Sequence, residues 1–134
     1  MVEFLTLQDI LDSHHEQIQS YGGTDGLRDK SLLESALAQP CAEFDGQYLH
    51  KDLFEMAAAY LFHLVQNHPF IDGNKRIGLE AALIFLEIND YSLNVDDQQL
   101  IDLVLNTAQG QIQKSQIADF FRARSCKRPF DSDS

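Results

Sequence analysis

Apolar residues recur every three to four positions along most of the chain, and this spacing predicts helices separated by glycine- and proline-marked breaks. Leu7, Ile10, Leu11 and Ile18 make one buried face of a helix opened by Thr6 and ended at Tyr21-Gly22-Gly23. Residues 22–29, GGTDGLRD, read as a loop. Asp29 or Ser31 is placed to cap a second helix, which carries Leu32, Leu33, Ala36 and Leu37 and stops before Pro40. Residues 40–50 have no clear period, but Asp45-Gly46 suits the turn of a small hairpin. A long helix is predicted from about Asp52 to Asn67, with Leu53, Ala57, Tyr60, Leu61, Leu64 and Val65 in phase and Ala58, Ala59 and Phe62 widening the apolar surface. Another runs from about Asn74 to Asn89. Ile77, Ala81, Ile84 and Ile88 form one of its faces and Leu79, Leu83 and Leu86 a second, while Glu80 and Glu87 leave a narrow polar stripe. Helices apolar nearly all round belong in the middle of a domain.

Asn89-Asp90 breaks the pattern, and Tyr91 to Val95 reads as a short extended piece. Asp96 or Asp97 caps a helix with Leu100, Ile101, Val104 and Leu105 that closes at Gly110; a last helix from about Ser115 buries Ile117, Phe120 and Phe121. The expected fold is all-α, a compact bundle of about six helices with one short hairpin. It forms a single domain over residues 1–124, and the polar residues 125–134 are expected to fray.

Composition narrows the partners. A chain of 134 residues supports one hydrophobic core. Its net charge of −11 disfavours nucleic acid and anionic membrane surfaces, which select basic faces. Cys41 and Cys126 form no metal-binding or disulfide pattern. The N-terminus lacks a basic leader, and no apolar run approaches the roughly 18 residues of a membrane span, so a cytoplasmic protein is expected.

The segment HPFIDGNKR, residues 68–76, joins the two central helices. Much of it suits a tight turn. Pro69 interrupts the first helix, Gly73 permits an unusual backbone angle, Phe70 and Ile71 can plug the core, and Asp72 or Asn74 can cap the second helix. Lys75 and Arg76 do not fit that reading. They fall in the first helical turn, where the helix dipole is positive and a cation is unfavourable by roughly 0.3–1 kcal/mol. A bound anion would resolve the conflict, with free amides, two cations and the Asn74 amide converging on a phosphate; the plain inter-helix turn is the alternative. His68 then suits a general base, and Asp72, a carboxylate beside polyphosphate, suits a magnesium ligand.

HPFIDGNKR is similar to the Fic/Doc motif, HPFx[D/E]GN[G/K]R, at every specified position. GGTDGLRD followed by LLESALAQP resembles the Doc, or death-on-curing, branch, as do the Ala-rich helix before the motif and FLEIND after it, so the likeness spans about residues 4–124. The resemblance implies transfer of part of a nucleotide to a protein hydroxyl. His68 would be the base and Asp72 the Mg²⁺ ligand. Gly73, Asn74 and Arg76 would hold phosphates, and Phe70 would anchor the loop. AMP-transferring members usually carry glycine where this chain has Lys75. A cation there resembles the Doc branch, whose members phosphorylate a threonine of elongation factor Tu. The implied activity is therefore a toxin-like protein kinase using ATP, with Lys75 favouring presentation of the terminal phosphate. The alternatives are an AMP transferase and a non-catalytic helical module. Many Fic proteins carry an inhibitory [S/T]xxxE[G/N] helix; no such string occurs here, and Doc-type toxins instead receive the segment from an antitoxin.

Elsewhere, Arg28 has two readings, a phosphate ligand or a structural contact beside Asp29. Phe44 and Tyr48, in the hairpin region, are candidates for docking a target as an added strand. His63 is assigned to packing, His14 and His15 to solvent, and Glu80 to the surface.

Overall fold

Short polar side chains set where four of the helices begin. The computed structural model describes residues 1–129. Helix α1 spans Leu7–Tyr21, and its cap is reciprocal: Thr6 accepts from the Asp9 amide at 3.0 Å and Asp9 accepts from the Thr6 amide at 2.8 Å. Asp29 caps α2, Lys30–Ala38; Asp52 caps α3, Leu53–Asn67; Asp96 caps α5, Asp97–Ala108. Helices α4, Asn74–Ile88, and α6, Lys114–Arg124, complete the set. The fold is all-α, with six helices and two minimal sheets among the described residues.

The first sheet is a hairpin of β1, Glu43–Phe44, and β2, Gln47–Tyr48, turned by Asp45 (φ 55°) and Gly46 (φ 78°) as that dipeptide predicts. The second pairs β3, Tyr91–Leu93, with β4, Ser125–Lys127, antiparallel, with Ser92 opposite Cys126. This corrects the expected start of the frayed tail. Ser125 to Lys127 are held by a partner far upstream, and the Arg128 amide donates to the Asp90 carbonyl at 2.7 Å. Strand pairing uses backbone groups, so a polar segment can join a ladder without an apolar pattern. The remainder of that expectation, residues 130–134, lies outside the described residues.

Helix α3 is the axis of the domain. Met56 through Leu61, Leu64 and Val65 are all buried, and the helix packs against α2, α4, α5 and α6. Its closest neighbour is α4, which turns back along it after the motif. Gly78 makes that approach possible: a Cβ there would lie 2.8 Å from Val65 Cγ2 and 3.3 Å from the Leu61 carbonyl oxygen. The buried arc of α4 is Ile77, Gly78, Ala81, Ala82, Phe85 and Leu86. Ile84 and Ile88, expected on the buried face, border it instead, and Ile88 is exposed. Tyr60 crosses the core and accepts the Leu5 amide at 2.9 Å, and burial pushes its hydroxyl pKa up.

Candidate active site

The loop at residues 22–29 is the template on which the motif is laid. The Ile71 amide donates to the Gly26 carbonyl at 3.0 Å, and the Arg28 and Asp29 amides donate to the Pro69 carbonyl at 2.8 and 3.0 Å. Leu27 and Phe70 form an antiparallel bridge between the two segments. The Thr24 amide donates to the Asp72 carboxylate at 3.1 Å. Arg28 adds its side chain, donating to the Asn67 and His68 carbonyls at the end of α3. Its contacts are thus the structural ones, with the backbone at the end of α3 as partner.

Phe70 is buried, at 2% exposure, while Ile71 is exposed and plugs nothing. Neither Asp72 nor Asn74 caps α4. The N-cap is Gly73, at φ 79°, with no side-chain cap hydrogen bond. Both polar side chains are engaged elsewhere. Asp72 accepts from the amides of Thr24 and Gly73, and those two bonds, with Arg76 and Lys75 nearby, hold its carboxyl below the usual range. The buried Asn74 amide accepts from the Phe70 amide at 2.9 Å and donates to the Phe70 carbonyl at 2.9 Å. Its side chain therefore braces the loop, and what it presents at the helix end is its backbone N–H.

That brace also sets the state of His68. The two bonds to Phe70 fix which end of the Asn74 amide is nitrogen, and this nitrogen lies 3.1 Å from His68 Nδ1. Nδ1 must accept, so the neutral ring carries its proton on Nε2. His68 itself sits in the left-handed region, φ 51° and ψ 54°, as the C-cap of α3.

His68, Asp72, Gly73, Asn74, Lys75 and Arg76 line one open cleft of about 450 Å³, a volume suited to a small-molecule site. Asp72 is the one acidic residue lining it among the described residues. Lys75 and Arg76 are exposed, and the Arg76 guanidinium lies over the Tyr21 ring at 4.6 Å. The cleft thus joins an uncapped helix N-terminus, two cations, a carboxylate and an imidazole.

Phe44 and Tyr48 are not brought to this cleft. Tyr48 packs edge-on against Phe4, which stacks on Phe85. Phe85 lies three turns along α4 from Asn74, about 16 Å by helical rise. The hairpin is exposed, but it stands at the far end of the α3–α4 pair.

The residue that local reading missed is His14. It is 2% exposed rather than solvated, stacks on Phe70 at 3.7 Å between ring centroids, and approaches the Asp72 carbonyl with Nε2 at 2.7 Å. The signal was available: His14 sits between Ile10 and Ile18 at i, i+4 spacing on the buried face of α1. His15 is exposed and reaches Asp25 at 2.8 Å. Glu80 is no bystander either, since it accepts from Ser13 and Gln17 and ties α1 to α4. His63 is half-buried, accepting from Lys114 at 3.0 Å.

Comparison with known proteins identifies a family. The Fic/DOC family model matches residues 4–86, which take in α1, the template loop, α3, the motif and most of α4. The chain belongs to the Fic/DOC family. It is similar to the protein kinase doc of Escherichia phage P1, 34% identical over 115 residues that cover 86% of this chain and 90% of that one. It is also similar to the toxin Doc of Mycolicibacterium smegmatis, 38% identical over 96 residues, 72% of each chain. The family match therefore takes in the elements that carry His68 and Asp72 to Arg76. Among the described residues of this Fic/DOC chain, no helix is long and apolar enough to cross a membrane.

Proposed function

We propose that the chain is a Doc-type toxin that transfers the terminal phosphate of ATP to a serine or threonine hydroxyl of a protein. One observation carries this reading. The N-terminus of α4 has no side-chain cap, yet it bears Lys75 and Arg76 in its first turn and opens into the cleft that holds His68. Unpaired amides at a helix start attract anions, and two cations beside them suit a polyphosphate.

The amides of Asn74, Lys75 and Arg76 and the two cations hold the phosphate chain. His68 takes the proton of the target hydroxyl. Its Nδ1 lone pair is the basic one, so the target exchanges for the Asn74 contact as it docks. The hydroxyl oxygen forms a bond to the terminal phosphorus, the bond from that phosphorus to the bridging oxygen breaks, and ADP leaves. Asp72 suits magnesium: its carboxylate is ionised, exposed and the one carboxylate lining the cleft among the described residues, and magnesium typically takes one or two carboxylates with phosphate and water oxygens. Bound there, the ion would offset phosphate charge as the leaving group departs.

The names of the relatives, a protein kinase and a toxin, support kinase chemistry in a toxin. The branch resemblance makes elongation factor Tu the first target to test, with action in the cytoplasm, and a cognate antitoxin the first partner. The groove between α1 and α4 beside Arg76, with Tyr21, Leu79 and Leu83, is where an inhibitory segment would reach the phosphate site. The deciding experiment incubates the protein with ATP, magnesium and elongation factor Tu and reads the intact mass of the target. One added phosphate is expected, and an added adenylate overturns the kinase assignment.

A further inference from the structure

His14 stands outside the nine-residue motif, yet it touches three of the motif's residues. Its ring lies parallel to Phe70, within 9°. Its Nε2 is 2.7 Å from the Asp72 carbonyl oxygen, so Nε2 carries the hydrogen and donates it. A Cβ on Gly73 would lie 3.4 Å from the same nitrogen, so the ring fills the space beneath that residue. The other nitrogen, Nδ1, faces Asp25 of the template loop at 3.8 Å.

The contact with Asp72 reaches further than one carbonyl. That carbonyl and the Gly73 N–H belong to one planar peptide unit and point to opposite sides of it. His14 holds the first, and the second donates to Asp72 Oδ1 at 2.8 Å. Glycine is the residue whose neighbouring peptide rotates most freely. Rotation of this unit would turn the Gly73 N–H away from the carboxylate it now orients.

We propose that His14 is a positioning residue for the metal end of the cleft, locking the Asp72–Gly73 peptide so that the Asp72 carboxylate faces the nucleotide. The proposal rests on the phosphotransfer reading above. It assigns to α1 a part of the site that no residue of the motif supplies. The amides of Asn74 to Arg76 lie beyond the peptide that His14 holds, so its loss acts on the carboxylate rather than on the phosphate cradle.

Two substitutions separate the ring from its hydrogen bond. His14→Phe keeps the stack on Phe70 and removes the donor, whereas His14→Gln can put an amide N–H near the place of Nε2. Binding of the non-hydrolysable analogue AMP-PNP is measured by calorimetry with magnesium and again with EDTA. Hydrogen exchange at the Gly73 amide is followed in the free protein. His14→Phe is expected to weaken binding about fivefold to tenfold with magnesium, the scale of one hydrogen bond, and little with EDTA. Its Gly73 amide exchanges faster, and His14→Gln restores both readouts. Unchanged exchange in His14→Phe overturns the proposal, as does an equal loss of affinity with and without magnesium. If the unsubstituted chain binds no AMP-PNP, the phosphotransfer reading fails and the metal role with it. The exchange measurement then still decides whether His14 locks the peptide.

Discussion

Arg28 Nε donates to the His68 carbonyl at 2.6 Å, and a second guanidinium nitrogen donates to the Asn67 carbonyl at 3.0 Å. A cation at the end of α3 suits the negative pole of the helix and satisfies two carbonyls that have no helical partner. It also holds His68 in a left-handed conformation that costs a residue with a Cβ about 1 kcal/mol or more. Arg28→Ala should therefore lower the turnover number roughly tenfold to a hundredfold, the scale of a misplaced catalytic group, with little change in nucleotide affinity. Arg28→Lys, which keeps the charge but loses the fork, should fall between. Steady-state kinetics beside calorimetry would show it, and a pure affinity loss would return Arg28 to the role of phosphate ligand.

Removal of the base itself should be more severe. Asn tolerates the left-handed region better than most residues, so His68→Asn removes the imidazole with little backbone penalty. Transfer should fall by roughly 10²- to 10⁴-fold while the melting temperature stays close to that of the parent. A variant still toxic at full strength in a growth assay would point to a non-catalytic mode of action.

Lys75 is exposed in the first turn of α4, beside the amides that would hold phosphate. In Lys75→Gly the cation is lost and the space it occupied opens. Phosphoryl transfer should weaken, and adenylate transfer should become detectable by intact mass of the target. Identical product and rate would make Lys75 incidental to the choice of reaction.

Gly78 tests the packing that aims the cleft. A methyl group there meets Val65 Cγ2 and the Leu61 carbonyl oxygen at separations that force the two helices apart. Gly78→Ala should destabilise the fold by about 1–3 kcal/mol, the usual cost of overpacking, although alanine is the better helix former. Urea denaturation gives the value, and a gain in stability would contradict the close approach of α3 and α4.

Acid should weaken the fold through His63. Burial, with Lys114 and His50 beside it, pushes its pKa down from 6.5 to about 4. Between those values the unfolded chain binds a proton that the folded chain refuses, so stability rises with pH across that window. It is complete above about pH 6.5 and declines as pH falls toward 4. His50, pushed down chiefly by burial, acts in the same sense. His63→Gln, which keeps an acceptor for Lys114, should flatten part of the slope in thermal melts recorded from pH 4 to 7.5. An unchanged slope would place the acid sensitivity elsewhere.

The helix starts at Thr6, Asp29, Asp52 and Asp96 were legible because a cap is a local event: the side chain and the amide it receives are three residues apart. The turn at Asp45-Gly46 is local for the same reason. Lys75 and Arg76 stood out by a broken rule, cations where a helix disfavours them. The sequence on its own thus determined the all-α class, most element boundaries and the family, all properties written in short windows of residues. Tertiary structure alone decided that Asp72 and Asn74 leave α4 uncapped, that Arg28 grips the end of α3, that His14 lies beneath Gly73 and that Ser125–Lys127 finds Tyr91–Leu93. It also decided that the hairpin stands far from the cleft. Each of these depends on groups distant in the chain meeting in space. Spacing along one helix fixes which face a residue occupies, but what that face meets is settled when the helices pack.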